Sequence, residues 1–400
     1  MSIIKILDHI SFGKIVLIRE ELLKQQAAGK KVIRFESGDP NFDLAPHVLE
    51  ALTSAAAAGK THYIPNAGIP QLRRALFEKL THTNHIPVGS AEDVFVTNGA
   101  MHALYIVFAA LLEDGDEVIV PDPMWTEIVE NIKLAGGKPV RVPLRREEAY
   151  LYSAEEIAKH ITPRTRAIFL NTPHNPTGAV LDREQLTAIL ELAKKHDLRV
   201  ISDEAYEHVI FAPATHTSIA SLDADYIDRT ITIFSCSKSY AMSGLRVGYI
   251  ACTDRQVQER LQKLLRCTIN GVNSTAQWAA LAAVTGPQEQ IVEMRAEYER
   301  RRDLLHEALN AIEGITPFRP KGSFFIWADC DSKLYERLGV RSADEVSQLL
   351  AQHGIGSAPG SAFSDRLTDS LRFAFSCATP MVEEGAVLLQ EFLQQAQVAA

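Results

Sequence analysis

The run Ala167-Ile168-Phe169-Leu170-Asn171, a turn, the stretch Arg183 to His196 and a second run, Arg199-Val200-Ile201-Ser202, form one unit. Both runs are short and largely apolar, as strands buried on both faces are. Between them Leu186, Ile189, Leu190 and Ala193 recur at helical spacing, which predicts a helix with one apolar face. A strand, a crossover helix and a second strand in this order give a parallel pair. The rhythm continues outward: Val94 to Thr97, Glu117 to Val120, Lys138 to Val142, Thr230 to Ser235 and Val247 to Cys252 read as strands. Ala100 to Leu112, Trp125 to Leu134 and Ser153 to His160 read as the helices between. The expected fold class is α/β, a mostly parallel sheet covered by helices.

Beyond this region the pattern changes. From Pro287 to Ile312 the apolar positions Ile291, Met294, Tyr298, Leu305, Leu309 and Ile312 step by threes, fours and sevens, which predicts one long helix. Ser323 to Asp329 and Ser370 to Phe375 then read as strands around a helix at Ala343 to His353. The expectation is a large domain over residues 46–286 and a smaller α+β domain. The latter is built from the connecting helix and C-terminal part, 287–400, with the N-terminal arm, 1–45, contributing to it. Glu383-Glu384 reads as the first turn of the last helix, where the helix dipole favours carboxylates.

With 400 residues, 46% hydrophobic and 23% charged, the chain can bury a large core. Its longest apolar run, Ala103 to Leu112, has ten residues, about half of what a bilayer helix needs. A formal net charge of −9 with no basic block gives a nucleic-acid surface no support. Met1 to Ile10 carries Lys5 and Asp8 and no small-residue cleavage site, so no export signal is read there. Cys236, Cys252, Cys267, Cys330 and Cys377 are odd in number and lack a CxxC pair, which fits a reducing cytoplasm. Small-molecule chemistry is the expected role.

Three segments carry that chemistry. Asn175-Pro176-Thr177-Gly178 follows the strand Ala167 to Asn171, and taken alone is ordinary turn chemistry. Ser202-Asp203-Glu204-Ala205-Tyr206 places an acid at the C-terminal end of a buried parallel strand, where open α/β sheets bind ligands. A backbone-capping aspartate is the alternative. In the third, Ser235-Cys236-Ser237-Lys238-Ser239-Tyr240-Ala241-Met242-Ser243-Gly244-Leu245-Arg246-Val247-Gly248, a lysine among small residues stands eight positions before an arginine. A desolvated lysine near another cation loses its proton readily and can form a Schiff base with a carbonyl.

Together these segments resemble the class I and II aminotransferases, the fold-type-I family that uses pyridoxal 5'-phosphate (PLP). Every position from Ser235 to Gly248 fits that family's lysine signature, and further matches run from Ser37-Gly38-Asp39-Pro40-Asn41-Phe42 to Arg372. The resemblance implies that Lys238 holds the cofactor and then acts as general base and acid. It implies that Asp203 pairs with the pyridine nitrogen, and that Asn175 and Tyr206 bond the ring's phenolic oxygen. Trp125, in Asp122-Pro123-Met124-Trp125, would stack on the ring. The phosphate would sit where Thr97-Asn98-Gly99-Ala100-Met101 opens a helix, with Ser235, Ser237 and Arg246 completing the cup. Tyr63 matches the tyrosine that reaches the neighbouring subunit's phosphate, which implies a homodimer. The bonds Asp122-Pro123 and Asn175-Pro176 are expected to be cis.

Arg372 lies in Leu371-Arg372-Phe373-Ala374-Phe375, a run that would otherwise be apolar, so it needs a carboxylate partner. The resemblance supplies the substrate's α-carboxylate, with Asn175 nearby and the Gly38 backbone closing over it. An internal salt bridge is the alternative. Met101 stands where some prokaryotic members place a lysine for a distal carboxylate, so the resemblance does not extend to strict aspartate specificity. Lys14 and Arg34 read as plain surface charges, with a place near that region as the alternative. His82-Thr83-Asn84-His85 reads as a solvated loop rather than a metal site.

The expected function is amino transfer between an L-amino acid and a 2-oxo acid by a ping-pong route, with glutamate and 2-oxoglutarate as one pair. A C-S β-lyase or a decarboxylase of the same fold would use the same Lys238, Asp203 and Arg246. A non-catalytic PLP-binding regulator would need an attached DNA-binding module, for which residues 1–45 offer neither length nor charge.

Overall fold

A seven-stranded sheet organises the large part of the chain. In the computed structural model, which describes residues 7, 8, 10, 11 and 13–395, the strands are β1 (Val94–Thr97), β2 (Glu117–Asp122), β3 (Lys138–Pro143), β4 (Thr165–Asn171), β5 (Arg199–Asp203), β6 (Thr230–Ser235) and β7 (Gly248–Ala251). Their order is β1-β7-β6-β5-β4-β2-β3. The pairs among β2 to β6 are parallel, and β7 runs antiparallel to both neighbours. Most of the stretch Met1 to Ile10, including Lys5, lies outside the described residues.

The crossover Arg183–Lys195 shows why the sequence folds as it does. Asp182 accepts a hydrogen bond from the Gln185 N–H at 2.9 Å while the Gln185 side chain accepts from the Asp182 N–H at 3.0 Å, a reciprocal cap that starts the helix. Leu186, Ile189, Leu190 and Ala193 are all buried against the sheet. Each large apolar side chain so covered contributes about 1.5–3 kcal/mol. Lys194 and Lys195 end the helix, where a cation complements the dipole. The segment Ser153 to His160 forms only the short helix Ala154–Ala158, capped by Ser153.

The long helix spans Glu289–Asn310 and buries Met294, Tyr298, Leu305 and Leu309. It covers a second, antiparallel sheet of β8 (Ile315–Pro317), β9 (Phe325–Cys330), β10 (Ala358–Pro359) and β11 (Ser370–Ala374), ordered β10-β11-β9-β8. Ile33 bridges to Ile355, and Ile33 and Phe35 sit in the apolar core of this sheet, so the N-terminal arm packs with the C-terminal part. The last helix begins at Thr379, which puts Glu383 and Glu384 one turn further in than expected. Each instead faces a cation, Arg300 and Lys31 respectively. No helix among the described residues is long and apolar enough to cross a membrane.

Candidate active site

Because β2, β4, β5 and β6 are parallel, their C-terminal residues Asp122, Asn171, Asp203 and Ser235 end along one edge of the sheet. Ligands in such sheets bind at that edge. A cavity of about 420 Å³ opens there, and Gly38, Ala100, Met101, Trp125, Asn175, Asp203, Tyr206, Ser235, Ser237, Lys238, Arg246 and Arg372 all line it. Twelve of the residues singled out in the sequence thus meet in one place. Gly99 lies just behind, against the Arg246 guanidinium, where a Cβ would come within 2.5 Å of Nη2. Tyr63 does not line this cavity. It is 92% exposed, beside Ile269 to Thr275.

At the floor, Lys238 Nζ donates to the Gly38 carbonyl at 2.7 Å. Burial pushes its ammonium pKa down to about 8, with Arg246 and Arg372 adding to the effect and Asp39 opposing it. Asp203 is buried with no cation bound to it; burial pushes its carboxyl up to about 7, against the hydrogen bond that Oδ1 accepts from the Ala205 N–H at 3.1 Å. The capping role is therefore real, and it leaves the second oxygen free.

Arg372 is 3% exposed on β11 and packs between the rings of Phe325 and Phe363, 4.3 and 4.7 Å from its guanidinium carbon. Nη1 donates to Asn175 Oδ1 at 3.1 Å and Nη2 to the Glu36 carbonyl at 2.8 Å, while Nε has no partner. These are neutral oxygens, so no internal salt bridge occupies the fork. Desolvation lowers its pKa to about 10. Asn175 is held in turn by its own N–H donating to Asn171 Oδ1 at 2.8 Å, and Asn171 Nδ2 donates to the Asp203 carbonyl at 3.1 Å. Asn171 thus ties the two site strands together. Tyr206 lines the same cavity, and burial raises the pKa of its hydroxyl.

At the other end, the helix Gly99–Leu111 starts without a side-chain cap, which leaves backbone N–H groups free to meet an anion. Gly248, paired with Thr97 and Ser235, lets this helix start pack tightly: a Cβ there would lie 2.8 Å from the Ala100 nitrogen. Ser235, Ser237 and Arg246 border the same corner. A family profile for aminotransferase class I and II matches residues 30–388.

The chain belongs to the class I and II aminotransferases. It is 35% identical over 391 residues to a probable aspartate/prephenate aminotransferase of Aquifex aeolicus, spanning 97% of this chain and 98% of the relative. Among solved structures it resembles the aspartate aminotransferase of Thermus thermophilus with maleate, at TM-score 0.90 and 33% identity, covering 98% and 99% of the two chains. It also resembles the aromatic aminotransferase of Pyrococcus horikoshii, at TM-score 0.87 and 35% identity, covering 94% and 100%. The chain is a PLP-dependent transaminase.

The transaminase site fits that cofactor on its own chemistry. An unpaired buried carboxylate suits a ring N–H⁺, an uncapped helix start beside Arg246 suits a phosphate, and a buried lysine of lowered pKa suits an aldehyde. Asp122-Pro123 and Asn175-Pro176 are cis, as are Thr172-Pro173 and Ala212-Pro213.

Lys14 and Arg34, read from the sequence as surface charges, stay off the cavity wall. Lys14 bonds Asp344 and Ser361 at 2.9 and 2.7 Å, and Arg34 pairs with Glu36. The cavity wall instead carries Arg19 and Glu127, along with Ile15 and Val16, none of which the sequence reading singled out. Glu127 was legible to the extent that it follows Trp125 by two positions. Arg19 gave no signal, since only folding brings its helix, Lys14–Ala27, over the site. In the loop near His82 and His85, Asn84 joins a buried Lys79–Glu207 pair, and both histidines stay exposed.

Proposed function

We propose that this transaminase exchanges the amino group between an L-amino acid and a 2-oxo acid by a ping-pong route, with glutamate and 2-oxoglutarate as one pair. The observation that carries the reading is the Arg372 fork, buried beside Lys238 and Asp203 and free of any internal carboxylate. A substrate α-carboxylate would meet two parallel N–H donors there, with Asn175 as neighbour and the Gly38 backbone above. Gly38 has room only as glycine, because a Cβ would sit 2.8 Å from the Phe325 ring.

When bound, PLP supplies an electron sink for the pair left at the substrate Cα. Lys238 would take the proton from the substrate Cα and hand it on within the site, a shuttle that a depressed amine pKa favours at neutral pH. Asp203 would hold a proton on the ring nitrogen, Asn175 and Tyr206 would bond the phenolic oxygen, and Trp125 would cover the ring face. Gly99, Ala100, Met101, Ser235, Ser237 and Arg246 would hold the phosphate. Arg19 is the remaining cation on the wall and takes the distal carboxylate of the dicarboxylate pair.

The small domain, built from 1–45 and 287–400, closes over the substrate and excludes water, while 46–286 carries the cofactor. Tyr63 completes the partner subunit's phosphate site in a homodimer, which its exposure far from its own cavity supports. The five cysteines all stand as free thiols, which supports a cytoplasmic compartment.

Arg372→Leu should lower kcat/KM by about 10²-fold for every amino acid regardless of side chain, because a charged fork is worth roughly 1.5–3 kcal/mol per bond. A change below threefold would remove the α-carboxylate role. For the dimer, mixing inactive Lys238→Ala chains with impaired Tyr63→Ala chains should restore activity, since the hybrid contains one site with an intact lysine and an intact partner tyrosine. No recovery in a confirmed hybrid would place Tyr63 outside the site.

A further inference from the structure

Amino transfer leaves three acids of the cavity lining unused: Glu36, which pairs with Arg34, Asp39, which acts on Lys238, and Glu127. Glu127 is the one on the wall that faces Arg19 and Trp125. It stands in the first turn of the helix Thr126–Leu134, two residues after Trp125, and lines the cavity with Ile15, Val16, Arg19, Met101 and Trp125. One carboxylate oxygen, Oε2, is shut off from solvent and has no hydrogen-bond partner among the described residues. The nearby Asn131 amide is committed elsewhere, to Met101 Sδ at 3.1 Å and the Glu127 carbonyl at 2.8 Å. None of the three arginines that line the cavity, Arg19, Arg246 and Arg372, forms an ion pair with it, although both Arg372 and Arg19 act on its charge. Burial outweighs them and raises its carboxyl pKa.

A buried acceptor without a donor is costly, and a site built around one favours a ligand that supplies the donor. Arg372 fixes the α-carboxylate, so the part of the substrate that reaches the remaining wall is its side chain. That wall brings the apolar side chains of Ile15, Val16, Met101 and Trp125 together with this acceptor. We propose that Glu127 is a specificity-determining residue that selects amino acids whose apolar side-chain stem ends in a hydrogen-bond donor, an ammonium above all. The inference rests on the amino-transfer reading and deepens it: Arg19 serves the dicarboxylate partner, and Glu127 serves the other amino acid. Two opposite charges on one wall let a single pocket accept both members of a ping-pong pair.

The test measures kcat/KM with saturating 2-oxoglutarate for L-ornithine and L-lysine against their stem-matched counterparts L-norvaline and L-norleucine. The wild-type enzyme should favour the better ammonium substrate over its counterpart by at least about tenfold, the scale of one buried hydrogen bond to a charge. Glu127→Gln should shrink that ratio to within about threefold by loss on the ammonium series, and Arg19→Ala should raise the KM for 2-oxoglutarate while the preference for the ammonium series persists. Wild-type preference for norvaline and norleucine, or an equal loss on both series in Glu127→Gln, would overturn the assignment. A visible band that none of these amino acids nor glutamate alters would overturn the underlying transamination reading instead.

Discussion

Lys238→Ala should abolish turnover, by at least about 10⁴-fold, because one amine supplies both the covalent attachment and the proton transfer at Cα. The fold should persist. Lys238 makes one side-chain hydrogen bond, to the Gly38 carbonyl, and truncating a buried ammonium also removes a desolvation cost. Thermal unfolding of the variant should therefore fall close to that of the wild-type apoenzyme. The same lysine sets a pH dependence whose sign follows from its burial. Only the neutral amine attacks an aldehyde, and the amine is neutral above its pKa, which is about 8 here rather than 10.5. Recombination of the apoenzyme with PLP should accelerate through about pH 8 and then level off. A rate still climbing beyond pH 10 would show that Lys238 is not desolvated in the way its surroundings indicate.

The second large effect is expected at Asp203. Removing a preorganised charge partner from a water-poor site costs about 10²–10³ in rate, so Asp203→Ala should lose that much kcat with its α-carboxylate recognition intact. Burial holds this carboxyl up near 7, and among the described residues no cation pairs with it. It therefore contributes little to folding, and the apo form of Asp203→Ala should be as stable as the wild-type apo form, or more so. The stability gained on adding PLP should be smaller in the variant. Activity within tenfold of wild type would assign Asp203 to capping alone, through its bond from the Ala205 N–H.

Much of this architecture was legible because local pattern and tertiary need agree. The run Ala167 to Asn171 and the helix after it show period and capping that survive folding unchanged. Elements without such a signature escaped. The helix Ser274–Thr285 is alanine-rich with no marked polar face, and β10 has two residues, too few for any alternation. The cofactor end of the site was legible for a related reason: Asp203 ends β5, and Lys238 and Asn175 follow the ends of β6 and β4 within four residues, where polarity breaks an apolar run.

The substrate end was not. Arg19 reaches the cavity from a helix that contributes nothing to the large sheet, and Glu127 reads in sequence as a dipole-favoured acid in a first turn. Lys14, by contrast, stood close in sequence to that wall yet turned to Asp344 and Ser361. Charges on a solvated helix choose partners by tertiary packing, and spacing alone carries no record of that choice.

The central claim is that Lys238, Asp203 and Arg372 act together in reversible amino transfer. The most direct test is the absorbance spectrum of the purified protein, with Lys238→Ala beside it, on adding a panel of L-amino acids and then 2-oxoglutarate. The account predicts that the yellow band of the lysine-bound cofactor falls with a subset of amino acids, returns with the 2-oxo acid, and is absent from the variant. A wild-type protein that stays yellow with every amino acid, or releases pyruvate without passing to the amine form, would contradict it.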